Sequence, residues 1–151
     1  MAGVEDAAIG ELRDRAAIRD LLMRYGHAVD RRDFERVAAC FTPDASYDGT
    51  LGDGDIATAL AALRERMARF ESTMHFMSTQ VIELAGDTAR CETYALVYHR
   101  TGSPEEGEQD LIVGVRYLDE LGRHGATWRI RRRVAKMEWQ RFDTVVLPPE
   151  S

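Results

Sequence analysis

Only two cysteines stand in this chain, Cys40 and Cys91, far apart and in apolar surroundings. That excludes a disulfide scaffold and reads both as reduced core thiols. Its four histidines, His27, His75, His99 and His124, show no HxH or HExxH spacing, and no CxxC pair accompanies them, so no metal ion is expected. Glycine-rich loops of the P-loop or GxGxxG type are missing, and with them any sign of a phosphate-bearing cofactor. Basic residues are outnumbered, 20 against 26 acidic ones, for a net charge of −6. The one dense basic run, RIRRR from Arg129 to Arg133, mixes charge with an apolar residue as a strand does, so nucleic acid is not an expected partner. No apolar run approaches the roughly 18 residues of a membrane helix, and the opening MAGVEDAAIGELRDR lacks the basic-then-apolar order of a secretory leader. No membrane partner is expected, and the location expected is cytoplasmic.

What remains is ordinary globular material: 151 residues, 44% hydrophobic and 30% charged, enough for one domain with one core spanning 1–151. From about Asp6 to Val29 the residues Ile18, Leu21, Leu22, Tyr25, Ala28 and Val29 recur at steps of three and four, which predicts an amphipathic helix. Asp33 caps a predicted short helix, Phe34 to Cys40, stopped before Pro43, and a short strand is expected around Ala45 to Tyr47. After the turn-rich DGTLGDGD, Asp55 caps a third helix, Ile56 to about Phe70.

The period then changes. Met74 to Leu84, Ala89 to Arg100, Gln109 to Leu121 and Thr127 to Trp139 are rich in β-branched and aromatic residues and are divided by AGDT, TGSPEEGE and LGRHGA, so four meander strands are predicted. Helices first and strands afterwards make an α+β fold, a cone-shaped, curved mixed β-sheet wrapped around three helices. Alternation puts Cys91, Thr93, Ala95, Val97 and His99 on one face of the second long strand, and such small side chains leave volume for a pocket. The opposite face, with Tyr94, Leu96 and Tyr98, suits a homodimer or higher homo-oligomer.

The segments AAIRDLLMRYGHAVDRRDFERVAACFTPDASYDG, STMHFMSTQVIEL, ARCETYALVYH and RYLDELGRHGATWRI resemble the SnoaL-like, nuclear transport factor 2-like superfamily, from about Arg15 to Phe142. Within it the chain looks most like the group of scytalone dehydratase, bile-acid 7α-dehydratase and hexachlorocyclohexane dehydrochlorinase. These are cofactor-independent eliminating enzymes that pair an Asp at the end of the first helix with a His opening the strand after the third. The resemblance places that pair at Asp30 and His75, a phenol at Tyr25, and a second imidazole at His99. Polar Ser and Asn residues used by the scytalone enzyme fall opposite Leu111 and Val113, so its substrate is not implied. An arginine on the last strand of the bile-acid enzyme falls near Lys136 when one residue is skipped.

The resemblance implies a cofactor-free lyase acting on a small, largely apolar, oxygenated ring compound. His75 would be the base, Asp30 its orienter and Tyr25 a donor to the departing or enolate oxygen. His99, Tyr47, Val97 and Lys136 are the expected substrate-binding residues, and Arg116 and Arg132 are further candidate cations for an acidic substrate or an oxyanion. On a helical wheel Tyr25 and Asp30 lie about 140° apart, so one pocket holds both only if the helix loosens before Asp30. His27 and His124 read as solvated and Trp128 as core. An isomerase or polyketide cyclase would use the same base, and a ligand-binding or oligomerisation module would need none.

Overall fold

A computed structural model of the chain describes residues 2–103 and 107–145. The first helix, α1, is Ala2–Asp30, longer at both ends than its apolar stripe required, and α2 is Phe34–Ala39. Asp33 caps α2 by accepting the Arg36 N–H at 3.2 Å. Strand β1, Phe41–Gly49, extends well beyond the expected Ala45 to Tyr47. A two-residue strand β2, Gly54–Asp55, leads into α3, Ile56–Met67, whose N-cap is Asp55 as the sequence predicts. The four long strands follow: β3 Ser72–Ala85, β4 Thr88–Ser103, β5 Gly107–His124 and β6 Thr127–Thr144. The turn expected in TGSPEEGE includes residues 104–106, which lie outside the described residues.

The sheet order is β2-β1-β6-β5-β4-β3. β1 runs parallel to β6 and every other pairing is antiparallel, so the sheet is mixed. It is an open α+β sheet, with β2 and β3 at its edges. Helix α1 lies on β3 and β6, and α3 packs on β1. The predicted inward face of β4 is correct: Cys91, Thr93, Ala95, Val97 and His99 are all buried. Among the described residues no helix is long and apolar enough to cross a membrane.

Two details of chain geometry position the site. Helix α1 ends in a left-handed turn: Arg32 has φ +59°, its N–H bonds the Val29 carbonyl, and the Asp33 N–H reaches back to Ala28. This 6→1 and 5→2 pattern closes the helix behind Asp30, which keeps Asp30 helical in its last position. Gly26 lets α1 approach β3: a Cβ there would sit 3.0 Å from Met77 Cγ and 3.2 Å from His75 Cβ.

Strand β6 carries two bulges against β5. Leu121 faces Ile130 while Glu120 faces Arg132, so Arg131 is the extra residue of the first. Gly114 faces Trp139 while Val115 faces Met137, so Glu138 is extra in the second. Each extra residue reverses which side chains point inward. Trp128 and Ile130 are buried before the first bulge, and Arg133 and Ala135 after it. The simple alternation that would have carried Arg132 inward is broken at Arg131.

Candidate active site

The concave face holds a cavity of about 240 Å³. The helices give it Tyr25, Leu63 and Arg66, the turn after α3 gives Phe70, the β1 region gives Tyr47 and Thr50, and the long strands give His75, Val97, His99, Leu111, Val113 and Tyr117. A wider groove, about 790 Å³, lies on the outer side of α1 and α2 and includes His27, Arg24 and Arg31 but neither His75 nor Tyr25. Convergent polar groups inside an apolar wall distinguish the first cavity as the candidate site.

His75 and Asp30 meet there. The imidazole Nδ1 lies 2.7 Å from Asp30 Oδ1, and the His75 backbone N–H donates to Oδ2 at 2.9 Å. The Thr73 hydroxyl donates to Oδ1 at 3.0 Å and itself accepts from the Arg32 guanidinium at 2.7 Å. Arg32 also donates to the carbonyls of Val29 and Met67, which ties the end of α1, the end of α3 and the start of β3 together around the carboxylate. Burial alone would raise the Asp30 carboxyl. The bonds from the His75 ring and backbone and from Thr73 outweigh it and hold the carboxyl below its ordinary range.

A carboxylate oxygen accepts, so Nδ1 carries the hydrogen and Nε2 is the nitrogen left for the cavity that His75 lines. The side chain of His75 is only 5% exposed, that of Asp30 20%. The carboxylate therefore sits behind the imidazole, and it is not among the residues lining the cavity. This corrects the expectation that Tyr25 and Asp30 share one pocket through a loosened helix. α1 stays helical through Asp30, Tyr25 faces the cavity, and Asp30 bonds the His75 ring from the adjoining face.

Tyr25 packs edge-on to the His75 ring, centroids 6.4 Å apart, and to Tyr117 at 6.1 Å. Burial drives its phenol above the ordinary range, against the pull of Arg133, so it remains a hydrogen-bond donor at neutral pH. Tyr47 lines the same cavity, bonded to the Thr50 hydroxyl at 2.9 Å, and burial raises its phenol too.

His99 lies 6.5 Å from His75 between ring centroids and 4.5 Å from Phe70. Its Nδ1 faces the Leu111 carbonyl at 3.2 Å and so must carry the hydrogen. Burial lowers its basicity, which keeps it neutral and presents Nε2 as an acceptor. Val97 is a wall residue of the cavity.

Lys136 is not brought to the site. It pairs across from Arg116 on the outer face of the sheet and is exposed, because the bulge at Arg131 puts Ala135 and Met137 on the inner side instead. Arg116 and Arg132 are on that outer side as well. Arg116 faces Glu92 and Glu138, and Arg132 holds Asp48 at 2.7 Å.

Sequence reasoning passed over Thr73, Arg32, Tyr117 and Arg66. Thr73 was open to detection, since it stands two residues before His75 and strand alternation gives both the same face. Beneath the cavity Arg133 is fully buried, bonded to Asp119 at 2.7 and 2.8 Å and sandwiched between Tyr25 and Tyr117, 4.2 and 4.4 Å from their ring centres.

Comparison with known proteins places this geometry in a family. The SnoaL-like domain matches residues 10–134. The uncharacterized protein Rv2910c of Mycobacterium tuberculosis is 30% identical over 138 residues, 89% of this chain and 92% of that one. In fold the chain is similar to the hexachlorocyclohexane dehydrochlorinase LinA-type3 from Novosphingobium barchaimii LL02, with a TM-score of 0.78, 20% identity, and 93% and 99% of the two chains covered. It is similar also to a candidate scytalone dehydratase from Novosphingobium aromaticivorans DSM 12444, with a TM-score of 0.75, 21% identity, and 95% and 93% covered. The chain belongs to the SnoaL-like domain family.

Proposed function

We propose that the chain is a lyase of the dehydratase kind, acting on a small, largely apolar, oxygenated ring compound through a His–Asp general base. The observation that carries this reading is the Asp30–His75 bond at 2.7 Å with the imidazole on the cavity wall. In the resting state Nδ1–H is held by Asp30 and Nε2 bears the lone pair. Substrate enters with an acidic C–H next to a carbonyl or a leaving group. Nε2 takes that proton, and the electron pair of the C–H bond forms the new double bond as the leaving group departs.

The imidazolium so formed is stabilised by the carboxylate at Nδ1, which stays ionised because its own acidity is raised. Tyr25 donates to the oxygen on which charge develops, and the neutral His99 accepts a hydrogen bond from a substrate hydroxyl. The chain's own groups supply the base, its orienter and the donor. Dehydratase and dehydrochlorinase names among proteins of similar fold support the reaction class. The exposed outer-face residues Met74, Phe76, Tyr94 and Trp139 support self-association, which sedimentation at micromolar concentration checks.

The test is incubation with a panel of oxygenated ring compounds followed by mass detection, using wild type and His75→Ala. Loss of water or acid by the wild type alone is the expected result. Unchanged mass with solvent deuterium incorporated would replace elimination by isomerisation or cyclisation on the same base. Equal turnover by His75→Ala, or ligand retained with no exchange, would remove the base from the proposal.

A further inference from the structure

Among the described residues the cavity lining contains no aspartate or glutamate, yet it contains two guanidinium groups, Arg66 and Arg69. In a chain of net charge −6 this local excess is unusual. Several arginines elsewhere in the chain have a carboxylate: Arg15 has Glu11, Arg36 has Asp33, Arg123 has Asp14 and Asp87, Arg132 has Asp48, and Arg133 has Asp119. Among the described residues neither Arg66 nor Arg69 has such an ion pair. Arg66 is half-buried, and its one hydrogen bond goes to a neutral acceptor, the Thr50 carbonyl.

Its charge is felt inside. Burial is the main reason that His99 resists protonation, and Arg66 adds to that resistance; in Tyr47, raised mainly by burial, Arg66 works in the opposite direction. A cation in the last turn of α3 is favourable for the helix dipole whatever else it does. Arg69, however, lies beyond that helix, and Arg64 already occupies its last turn, 4.3 Å from the Phe34 ring centre.

We propose that Arg66, assisted by Arg69, determines specificity at this cavity, and that the substrate is an apolar ring compound carrying a carboxylate. The fork of Arg66 meets the carboxylate at the mouth while the ring lies among Phe70, Val97, Leu111 and Val113. The inference deepens the elimination reading and rests on it for the word substrate, but its test reads binding and not turnover.

Calorimetric titration would use 3-phenylpropionate and its neutral isostere 3-phenylpropanamide near neutral pH. Wild type should bind the carboxylate about tenfold tighter or more, as charge-assisted bonds allow, with the preference shrinking as salt is added. Arg66→Gln should bring the two affinities together by weakening the carboxylate alone, and Arg66→Lys should restore part of the preference. Arg69→Gln should weaken it less. His75→Ala should keep the preference, so a failed dyad leaves this inference standing.

Amide bound as tightly as carboxylate in wild type, or no carboxylate binding up to its solubility limit, would overturn the proposal and leave the His75 reading untouched. A preference that survives Arg66→Gln with Arg69→Gln but vanishes in His75→Ala would place the anion on the dyad and overturn it as well. Amide affinity, equal in wild type and the arginine variants, reports that the cavity is intact.

Discussion

Two pairs of a carboxylate and a basic side chain stand close together in this molecule with the same 2.7 Å contact, in opposite surroundings. Asp119–Arg133 is bidentate, 0% exposed on both sides, and locked between Tyr25 and Tyr117. Asp119 and the flanking rings raise the guanidinium's already high pKa against the effect of burial, so Arg133 keeps its charge. Asp30–His75 is single-pointed at the ring, partly open, and built on an imidazole that leaves Nε2 for the cavity. An ion pair closed off on every side suits packing, whereas a general base would need a ring nitrogen left open, as Nε2 of His75 is.

Breaking the second pair should have the largest effect on activity. His75→Ala is expected to lower turnover by about 10² to 10⁴ while leaving the fold intact, since that is the usual worth of a general base. Asp30→Asn should also reduce it sharply, through the tautomer and not through contact with substrate. Circular dichroism and single-turnover rates on whichever compound the mass screen yields would check both. A variant that lost its fold along with its rate would show that the dyad is structural.

Breaking the first pair should instead unfold. Asp119→Ala leaves Arg133 charged and buried, an error of about 3–5 kcal/mol, and a denaturant titration would read it as a shifted midpoint. Asp119→Leu with Arg133→Met removes both charges and should recover most of that loss. If the double variant folded but lost activity, Arg133 would have a task at the cavity besides its structural one.

The two pairs also differ in how far the sequence announced them. Asp30 and His75 sit in local patterns, AVDRRD and STMHFMS, and strand alternation placed Cys91 to His99 inward correctly. Helix order, strand order and the Asp33 and Asp55 caps were legible for the same local reason. Arg133 was not, because in RIRRR one residue of slip decides which arginine is inside, and the bulge at Arg131 that makes the slip is a property of β5–β6 pairing. Lys136 went wrong through that same slip. Arg66 was missed because a basic residue in a helix's last turn is ordinary in sequence, and only the tertiary arrangement shows that among the described residues no acid answers it.

Acid should lower stability in two separate steps, a moderate effect that arises at the candidate site. His99 is less basic folded than its ordinary 6.5, so below that pH the unfolded chain binds the extra proton first and stability falls as pH falls. Asp30 is more acidic folded than its ordinary 3.8, so its contribution is present above that value and is lost as pH drops through the folded value. Thermal melts should therefore show a first decline below about pH 6.5, at most about 1.4 kcal/mol per pH unit for one group, and a second near pH 3.8 and below. His99→Gln should flatten the first decline, and Asp30→Asn should lessen the second, which hydrogen-bonded Asp14, Asp44 and Asp55 share, each leaving the other in place. A first decline unchanged in His99→Gln would assign it to another group.

The smallest expected effect is that of Tyr25→Phe, and it probes the contact between the two pairs. The ring lies over Arg133 at 4.2 Å and edge-on to His75 at 6.4 Å, so phenylalanine keeps the packing on both sides and removes only the hydroxyl. Stability should change by less than about 1.5 kcal/mol, the size of one hydrogen bond. If that hydroxyl donates to the oxygen that gains charge, turnover should fall about two- to tenfold, with the loss in kcat and not in KM, because the bond strengthens only as charge develops. Water entering the vacated position, or the His99 side of the cavity, replaces part of the interaction, which is why the loss is smaller than that of His75. A rise in KM at constant kcat would assign Tyr25 to ground-state binding. No change in either, with melting temperature lowered, would assign its hydroxyl to the Arg133 pair and leave the developing charge to other donors.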